Sequence, residues 1–172
     1  MFRPDIFVNK ITNITPKFLR SNNIKGLIID IDNTVMDDKY HLVDDLLTWI
    51  NDLKKHNIGI CFVSNTFSYH KKQKLEQSLQ TDVIIKALKP SRRGFKWGLK
   101  KLALSPKEVA VIGDQLFTDV LGGKRMGMYT IYVTPIALGN EGFLVNLKRV
   151  FEKPLIKKYK TNYNVITTKD DS

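Results

Sequence analysis

Two kinds of hydrophobic pattern alternate along the chain between about residues 25 and 134. Five short runs are almost continuously aliphatic or β-branched, which is typical of strands that are buried on both faces of a sheet. These runs are KGLIIDI (25–31), IGICFVS (58–64), DVIIKAL (82–88), EVAVIGD (108–114) and MYTIYVT (128–134). We therefore predict five strands.

Helical spacing predicts a helix in each interval between these strands. The predicted helices cover residues 42–57, 67–80, 91–104 and 116–126. A single apolar stripe of the first helix is formed by Val43, Leu46, Leu47, Ile50 and Leu53. The segment SPKE (105–108) has a capping-box pattern but leads into a short β-branched run, so we interpret it as a turn. The alternation predicts an α/β fold, namely a Rossmann-like parallel sheet of about five strands with helices on both faces.

One domain accounts for the whole chain of 172 residues, because a hydrophobic content of 42% can form one core and no linker or repeat divides it. The predicted core covers about residues 25–135. Apolar residues before it recur at roughly helical spacing, and residues 143–160 after it mix apolar with basic side chains. We predict helical extensions at both ends, with Pro154 arguing against one unbroken helix in the second. The last residues, TTKDDS, are predicted to form a frayed polar tail.

Polar residues suited to phosphate or metal chemistry follow four of the predicted strands. They read DIDNT, SNT, KP and GD, in that order. Parallel α/β sheets bind their ligands outside the carboxyl ends of the strands. We therefore expect these four groups to meet in one site, which contains Asp30, Asp32, Ser64, Lys89 and Asp114.

Asp30 and Asp114 suit phosphoryl transfer with a magnesium ion. A carboxylate can accept a phosphoryl group as an aspartyl phosphate, but the incoming anion repels it. Mg²⁺ relieves this repulsion because it binds carboxylates together with phosphate oxygens. Asp32 follows Asp30 by two positions, so in an extended chain it leaves the same face and could protonate the leaving oxygen. The alternative is a solvent-exposed acidic turn, which the preceding aliphatic run disfavours.

Three further residues could contact the phosphate. The Ser64 hydroxyl and the Asn65 backbone N–H could hold a phosphate oxygen, although SNT is also a common turn or helix cap. Pro90 disfavours helical geometry at Lys89 and so keeps it extended at the strand end. Its ammonium could balance the charge of the phosphate and the two strand-end aspartates. The alternative is that Lys89 is an ordinary solvent-exposed lysine outside the site.

The segment GDQLFTDV adds candidates around Asp114. Gly113 would allow a close approach of backbone, and Thr118 and Asp119 lie about one helical turn further on. These two could hold metal-bound waters or orient Lys89 as an outer layer of the site. An Asp119 that only caps the helix is the competing interpretation.

Taken together, DIDNTV, VSNT, KP and GDQLFTDV resemble in order the four motifs of the haloacid dehalogenase (HAD) superfamily. The resemblance implies the magnesium-dependent chemistry of that superfamily. It also implies a role for each matching residue: the nucleophile Asp30, the acid and base Asp32, the phosphate binder Ser64, the stabilising Lys89, and the magnesium-binding acids Asp114 and Asp119. It further implies that the backbone carbonyl of Asp32 is a metal ligand.

Cap domains of this superfamily are inserted between the first and second or the second and third motifs. Here each interval is already filled by one predicted helix and one predicted strand, so we expect no cap domain. The pattern resembles HAD subfamily IIIA, and with the N-terminal PD segment it is similar to the YqeG family of bacterial phosphatases. Related mitochondrial members act on phosphatidylglycerophosphate, so this lipid is implied as the first candidate substrate.

The charge of the chain favours anionic partners such as phosphates, nucleic acid or anionic lipid. The net charge is +11, and residues 86–101 contain seven Lys or Arg and no acid. With Phe95 and Trp97 interleaved, this stretch could contact an anionic lipid surface or nucleic acid, or could simply be a solvated helix face. We expect a phosphorylated substrate and favour a lipid headgroup over nucleic acid.

Alternative functions stay open from the sequence alone. The same chemistry could act on a nucleotide, a sugar phosphate or a phosphoprotein, and the basic face could serve an RNA- or ribosome-associated binding factor. No apolar stretch approaches the length of a membrane span, so we expect a cytoplasmic protein, with docking on the inner face of the membrane left open. Cys61 is expected to be a buried apolar residue, and none of the three histidines has a ligand spacing.

Overall fold

One seven-stranded parallel sheet runs through the protein. The computed structural model describes residues 2–137, 143–161 and 165–166. Its strands are β1 Ile6–Val8, β2 Gly26–Ile29, β3 Gly59–Val63, β4 Val83–Ile84, β5 Val109–Gly113, β6 Tyr129–Val133 and β7 Val165–Ile166. Its helices are α1 Pro16–Ser21, α2 Leu46–Lys55, α3 Tyr69–Leu79, α4 Arg92–Leu102, α5 Leu121–Met126 and α6 Phe143–Lys160.

The spatial order of the strands is β4-β3-β2-β5-β6-β1-β7. All five predicted strands are present, and the α/β class with a parallel sheet is confirmed. From β2 the chain moves outward to β3 and β4 on one side, and it then returns to β5 on the other side. The crevice between β2 and β5 is therefore the point where the order reverses, which is where open α/β sheets bind ligands.

Helices cover both faces of the sheet, as predicted. Successive side chains of a strand point to opposite faces, so Leu27 and Ile29 pack into one cluster and Ile28 into another. The first cluster includes apolar residues of α2 and α3, and the second includes Phe95 and Leu99 of α4. Helix α5 lies on the same side as α4, since Gly122 contacts the ring of Phe95.

No cap domain interrupts the motifs, as predicted. Residues 30–89 are described throughout. They form a flap loop (residues 32–42) held by bridges of Met36 to Asp32 and to Leu42, followed by α2, β3, α3 and β4. The segment Pro106–Glu108 is a single 3₁₀ turn with the expected capping box.

The predicted stripe of α2 is wrong at two positions, because Val43 precedes the helix, although it packs against the same core, and Leu47 faces solvent. Leu47 is 47% exposed, and Trp49 takes its place in the core, where its indole N–H donates to the carbonyl of Ile14 at 2.7 Å. The helix buries its first residue, Leu46, together with Trp49, Ile50 and Leu53, which follow it by three, four and seven positions. Leu47 is rotated about 100° from Leu46 on such a helix and faces solvent.

The segment before β2 differs from the predicted helical extension. It forms β1, a 3₁₀ turn Ile11–Asn13 and the short α1. Because β1 pairs with β6, this segment completes the sheet and the hydrophobic core. Asp5 anchors it: its carboxylate accepts hydrogen bonds from the Thr130 N–H at 2.7 Å and hydroxyl at 2.8 Å, and from Lys124.

The second extension is one helix, so the break predicted at Pro154 is wrong. Pro154 is exposed, as is Val150, whose carbonyl would have received the missing hydrogen bond. Water can satisfy that carbonyl on the solvent side, which lowers the cost of a proline inside the helix. The predicted tail, residues 167–172, lies outside the described residues. None of the described helices is both long and apolar enough to cross a membrane.

We predict that Asp5→Ala lowers the free energy of unfolding by about 2 kcal/mol, because two hydrogen-bond donors of Thr130 and the ammonium of Lys124 lose their acceptor. Urea unfolding measures the change. The exposed flap-side carboxylate of Asp44 provides the control, and Asp44→Ala should change the stability by less than about 0.5 kcal/mol. Equal effects of the two substitutions would contradict the anchoring role of Asp5.

Candidate active site

Asp30 follows β2 directly and is buried. Its Oδ1 lies 2.6 Å from the Lys89 ammonium and accepts a hydrogen bond from the Ile31 N–H at 2.8 Å. Burial raises the pKa of Asp30 well above its ordinary value, Lys89 opposes this rise, and three neighbouring aspartates add to it. The side chain is therefore held in one orientation, in surroundings that favour cations.

Asp114 follows β5, the neighbour of β2, and is also buried. Its Oδ2 accepts a hydrogen bond from the Arg149 guanidinium at 2.5 Å, and the Thr34 hydroxyl lies 3.5 Å from its Oδ1. Burial raises the pKa of Asp114 to about 7 although Arg149 opposes the rise. The structure thus brings the two predicted strand-end aspartates together at the crevice between β2 and β5.

Asp119 lies in a π-helical turn, Leu116–Val120, that leads into α5. Its Oδ1 accepts a hydrogen bond from Lys89 at 2.7 Å. Its Oδ2 lies 3.3 Å from both the N–H of Gln115, the residue before the turn, and the hydroxyl of Thr118. Asp119 therefore contacts Lys89, as one interpretation of the sequence expects. It lies within the turn and not at the N-cap of either helix, so the interpretation of Asp119 as a helix cap is wrong.

The three carboxylates form a group that could hold a metal ion. Asp30, Asp114 and Asp119 each place one oxygen within 4.8 Å of the others. An all-oxygen set of carboxylates suits hard divalent cations such as Mg²⁺, Ca²⁺ or Mn²⁺. The buried residues present therefore fit a divalent metal. The side chain of Asp32 lies outside this group. Asp119, which the residues alone place in an outer layer and the resemblance places among the magnesium-binding acids, is part of it.

Ser64 and Asp32 lie together at the edge of the site. The Ser64 hydroxyl donates to Asp32 Oδ2 at 3.1 Å and accepts a hydrogen bond from the Thr66 N–H at 3.0 Å. Asp32 is half-buried, unlike the three clustered carboxylates. Its side chain is therefore accessible from the solvent side, where a substrate would enter.

Lys89 does not lie at a strand end as predicted, because β4 ends at Ile84. A loop places it instead, and Asn65 fastens that loop. The Asn65 side chain accepts a hydrogen bond from the Lys89 N–H at 2.7 Å and donates to the Lys89 carbonyl at 3.2 Å. Burial alone would lower the pKa of Lys89, but Asp119 and Asp30 together raise it, so the ammonium stays charged.

Two residues of α6 enter the site and were missed from the sequence. Arg149 pairs with Asp114, and the Glu152 carboxylate accepts a hydrogen bond from the Phe117 N–H at 2.7 Å. Glu152 is fully buried, and among the described residues its Oε2 has no hydrogen-bond partner. Burial raises the pKa of Glu152 to about 7. The available signal was an Arg and a Glu three positions apart, which share one face of a helix.

The other candidates are outside the site. Cys61 is buried in the sheet, and burial raises the pKa of its thiol to about 12. His41 pairs with Asp37 and His56 with Asp52. Among the described residues, the group able to hold a metal contains no histidine or cysteine.

Comparisons with known proteins find phosphatases that are similar in sequence. The family model described as mitochondrial PGP phosphatase, where PGP is phosphatidylglycerophosphate, matches residues 1–137. The protein named "Probable phosphatase YqeG" of Bacillus subtilis (strain 168) is 37% identical over 160 residues, which cover 92% of each chain. Mitochondrial phosphatidylglycerophosphatase of Saccharomyces cerevisiae is 32% identical over 128 residues, or 65% of this chain and 68% of the yeast protein.

A third relative is the phosphatidylglycerophosphate phosphatase 1 of Arabidopsis thaliana, which is 26% identical. The match covers 91% of this chain but 47% of the plant protein. Among solved structures, an uncharacterised Listeria monocytogenes protein has a TM-score of 0.56 at 14% identity, with 78% of this chain and 99% of that chain covered. A protein described as a HAD family hydrolase from Streptomyces avermitilis has a TM-score of 0.51 at 13% identity, with 70% and 69% covered. These two structures support the fold alone.

We predict that Gly113→Ala destabilises the protein by about 1–3 kcal/mol, because the new methyl group would overlap the side chain of Asp119. Urea unfolding of the single variant measures the cost. In an Asp119→Gly background the overlapping atoms are absent, so the same substitution should cost clearly less. An equal cost in both backgrounds would show that the side chain of Asp119 does not require a glycine at position 113.

We predict that Glu152→Gln stabilises the metal-free protein increasingly as the pH rises. The pKa of Glu152 is raised from 4.5 to about 7 in the folded state, so the wild-type protein loses stability between these values whereas glutamine does not ionise. The gain should be small near pH 5 and reach roughly 2 kcal/mol near pH 8, as measured by urea unfolding.

The control for this prediction is Glu108→Gln. Hydrogen bonds from Lys25 and Ser105 lower the pKa of Glu108 to about 2, so its contribution is complete at both of those pH values. Glu108→Gln should therefore destabilise the protein equally at pH values near 5 and near 8. A Glu152→Gln difference that is independent of pH would contradict the buried ionisation of Glu152.

Proposed function

The chain belongs to the mitochondrial PGP phosphatase family and is a phosphoric monoester hydrolase, and from this premise we propose that it is a magnesium-dependent enzyme that forms an aspartyl phosphate on Asp30. One observation carries the proposal. Asp30, Asp114 and Asp119 converge within 4.8 Å at the crevice between β2 and β5. Lys89 bridges two of these carboxylates from a buried position.

The reaction has two steps that use Asp30 and Asp32. In the first, a carboxylate oxygen of Asp30 bonds to phosphorus, the ester P–O bond breaks, and the leaving oxygen takes a proton from Asp32. In the second, Asp32 removes a proton from a water molecule that attacks phosphorus. The bond between phosphorus and Asp30 breaks, and inorganic phosphate leaves. We assign to the Ser64 hydroxyl, which lies 3.1 Å from Asp32, the role of donating to a phosphate oxygen during both steps.

A divalent metal would supply the positive charge that lets a phosphate approach the carboxylates. Asp30, Asp114 and Asp119, together with the backbone carbonyl of Asp32, would hold it. Lys89 neutralises charge on Asp30 and Asp119 and keeps both in place. Thr118 supports Asp119 from 3.3 Å, and Asn65 holds the loop that carries Lys89.

We take phosphatidylglycerophosphate as the first candidate substrate. Two relatives are named as phosphatases of this lipid, and in the described residues 30–119 no cap domain lies between the site motifs, which suits a phosphate on a group too large to be enclosed. A nucleotide, a sugar phosphate or a phosphoprotein is the alternative. Binding of RNA through α4 gains no support, because Phe95 is buried and Arg93 covers the ring of Trp97 at 4.4 Å.

We predict that Asp30→Asn lowers magnesium-dependent phosphate release by about three orders of magnitude or more, because an amide cannot form the phosphoenzyme. The fold should persist, since Lys89 keeps its ion pair with Asp119 at 2.7 Å and the burial of one carboxylate is relieved. Circular dichroism and urea unfolding check the fold. Asp37→Asn in the flap loop is the control and should keep most of the activity. Full activity of Asp30→Asn would overturn the mechanism.

The substrate is tested on the same proteins with phosphatidylglycerophosphate in vesicles, a nucleoside monophosphate, a sugar phosphate and a phosphopeptide. We expect the lipid to be hydrolysed with a kcat/KM at least about tenfold higher than that of any soluble compound. A soluble substrate that is preferred over the lipid would leave the phosphatase mechanism intact and refute the lipid assignment.

A further inference from the structure

Two groups of exposed apolar side chains lie on the segments that build the active site. We define the loop patch as Phe67, Tyr69 and Leu88, and the helix patch as Leu147, Val150 and Phe151. These six side chains are between 45% and 64% exposed. Such large apolar residues are costly to leave in water, and a cluster of them at a functional edge marks an interaction surface.

The loop patch lies beside the residues proposed to bind phosphate. Phe67 and Tyr69 follow Ser64 in the segment after β3, and Leu88 precedes Lys89 in the loop after β4. The two segments are joined by a hydrogen bond from the Lys86 N–H to the Thr66 carbonyl at 2.9 Å. Loops that leave the carboxyl ends of parallel strands lie on one edge of the sheet. The loop patch therefore flanks the site on the side of β3 and β4.

The helix patch lies on α6, at the same turns that enter the site. Arg149 and Glu152 face inward, where they bind Asp114 and the Phe117 N–H. At 100° per residue, Leu147, Val150 and Phe151 share the opposite face of the helix. The helix patch therefore lies on the outer face of the helix whose inner face enters the site beside Asp114.

Basic residues accompany both patches. The Lys86 ammonium lies 4.7 Å from the ring centre of Tyr69 and 6.0 Å from that of Phe67. Residues 143–160 contain five Lys besides the buried Arg149, and their one acid, Glu152, is turned inward as Arg149 is. A surface that combines aliphatic and aromatic side chains with lysine matches the interface of an anionic bilayer, where apolar groups enter the acyl region and ammonium groups meet headgroup phosphates.

We propose that the loop patch and the helix patch dock the mouth of the active site onto an anionic lipid bilayer. Docking at these two places presents the site to headgroup phosphates without extraction of the lipid. The docking proposal rests on the proposed function in one respect, namely that the substrate phosphate belongs to a lipid. Attachment to the bilayer itself requires no catalysis. A bilayer is favoured over RNA because half of the patch residues, Leu88, Leu147 and Val150, are aliphatic and insert into an acyl region but offer bases no stacking surface.

Co-sedimentation with vesicles tests the docking. The wild-type protein should bind phosphatidylglycerol-containing vesicles at least about tenfold more strongly than pure phosphatidylcholine vesicles, and added salt should weaken the binding. Val150→Glu/Phe151→Glu and the uncharged Phe67→Ser/Leu88→Ser should each lower the partition coefficient at least about tenfold, because a polar side chain replaces an inserted apolar one. Trp97→Glu on the basic helix α4, at 39% exposure, is the matched control and should keep wild-type binding.

Hydrolysis of p-nitrophenyl phosphate, a soluble ester, separates the two proposals. All of these variants should hydrolyse it at the wild-type rate, because none of the substituted residues contacts the acidic cluster. Vesicle binding that survives both double substitutions, or that is lost in Trp97→Glu instead, would overturn the docking surface while leaving the phosphatase intact. Specific vesicle binding without any hydrolysis by the wild-type protein would defeat the proposed function and support the docking. Self-association through the two patches, detected by sedimentation velocity, would also overturn the docking proposal if the protein binds no vesicles.

Discussion

The buried ammonium group of Lys89 holds the centre of this structure together. It lies 2.6 Å from Asp30 and 2.7 Å from Asp119, in a region from which water is almost excluded. Carboxylates as close as these repel one another strongly when little solvent screens them. Lys89 offsets that repulsion, and Asn65 fixes its backbone in the position from which it can do so.

A second cation plays the corresponding part for the third carboxylate. Arg149 reaches Asp114 from α6, so two buried cations face the three clustered aspartates. One negative charge remains uncompensated, and a divalent cation would turn this into a positive surplus that attracts a phosphate dianion. The same helix carries the helix patch on its outer face, so the side chains that shape the site and those that would meet a membrane belong to one rigid element.

Much of this arrangement follows from local pattern. The aliphatic runs at 25–31 and 108–114 are strands because they are short, β-branched and apolar on both faces, and they deliver Asp30 and Asp114 to one edge. The first segment was harder to predict, because apolar residues such as Phe7, Ile11 and Ile14 fit a helical stripe as well as a strand followed by a turn. Its structure depends on pairing with β6, whose residues lie more than a hundred positions away.

The sequence by itself determined the parallel α/β sheet, the absence of a cap domain and the strand-end positions of Asp30, Ser64 and Asp114, because each depends on the order and periodicity of neighbouring residues. Only the tertiary structure decided that Asn65 binds the loop of Lys89 from 24 positions away and that Arg149 reaches Asp114 from 35. Contacts over such separations arise from the packing of whole elements, and no local pattern records which side chains that packing brings within hydrogen-bonding distance.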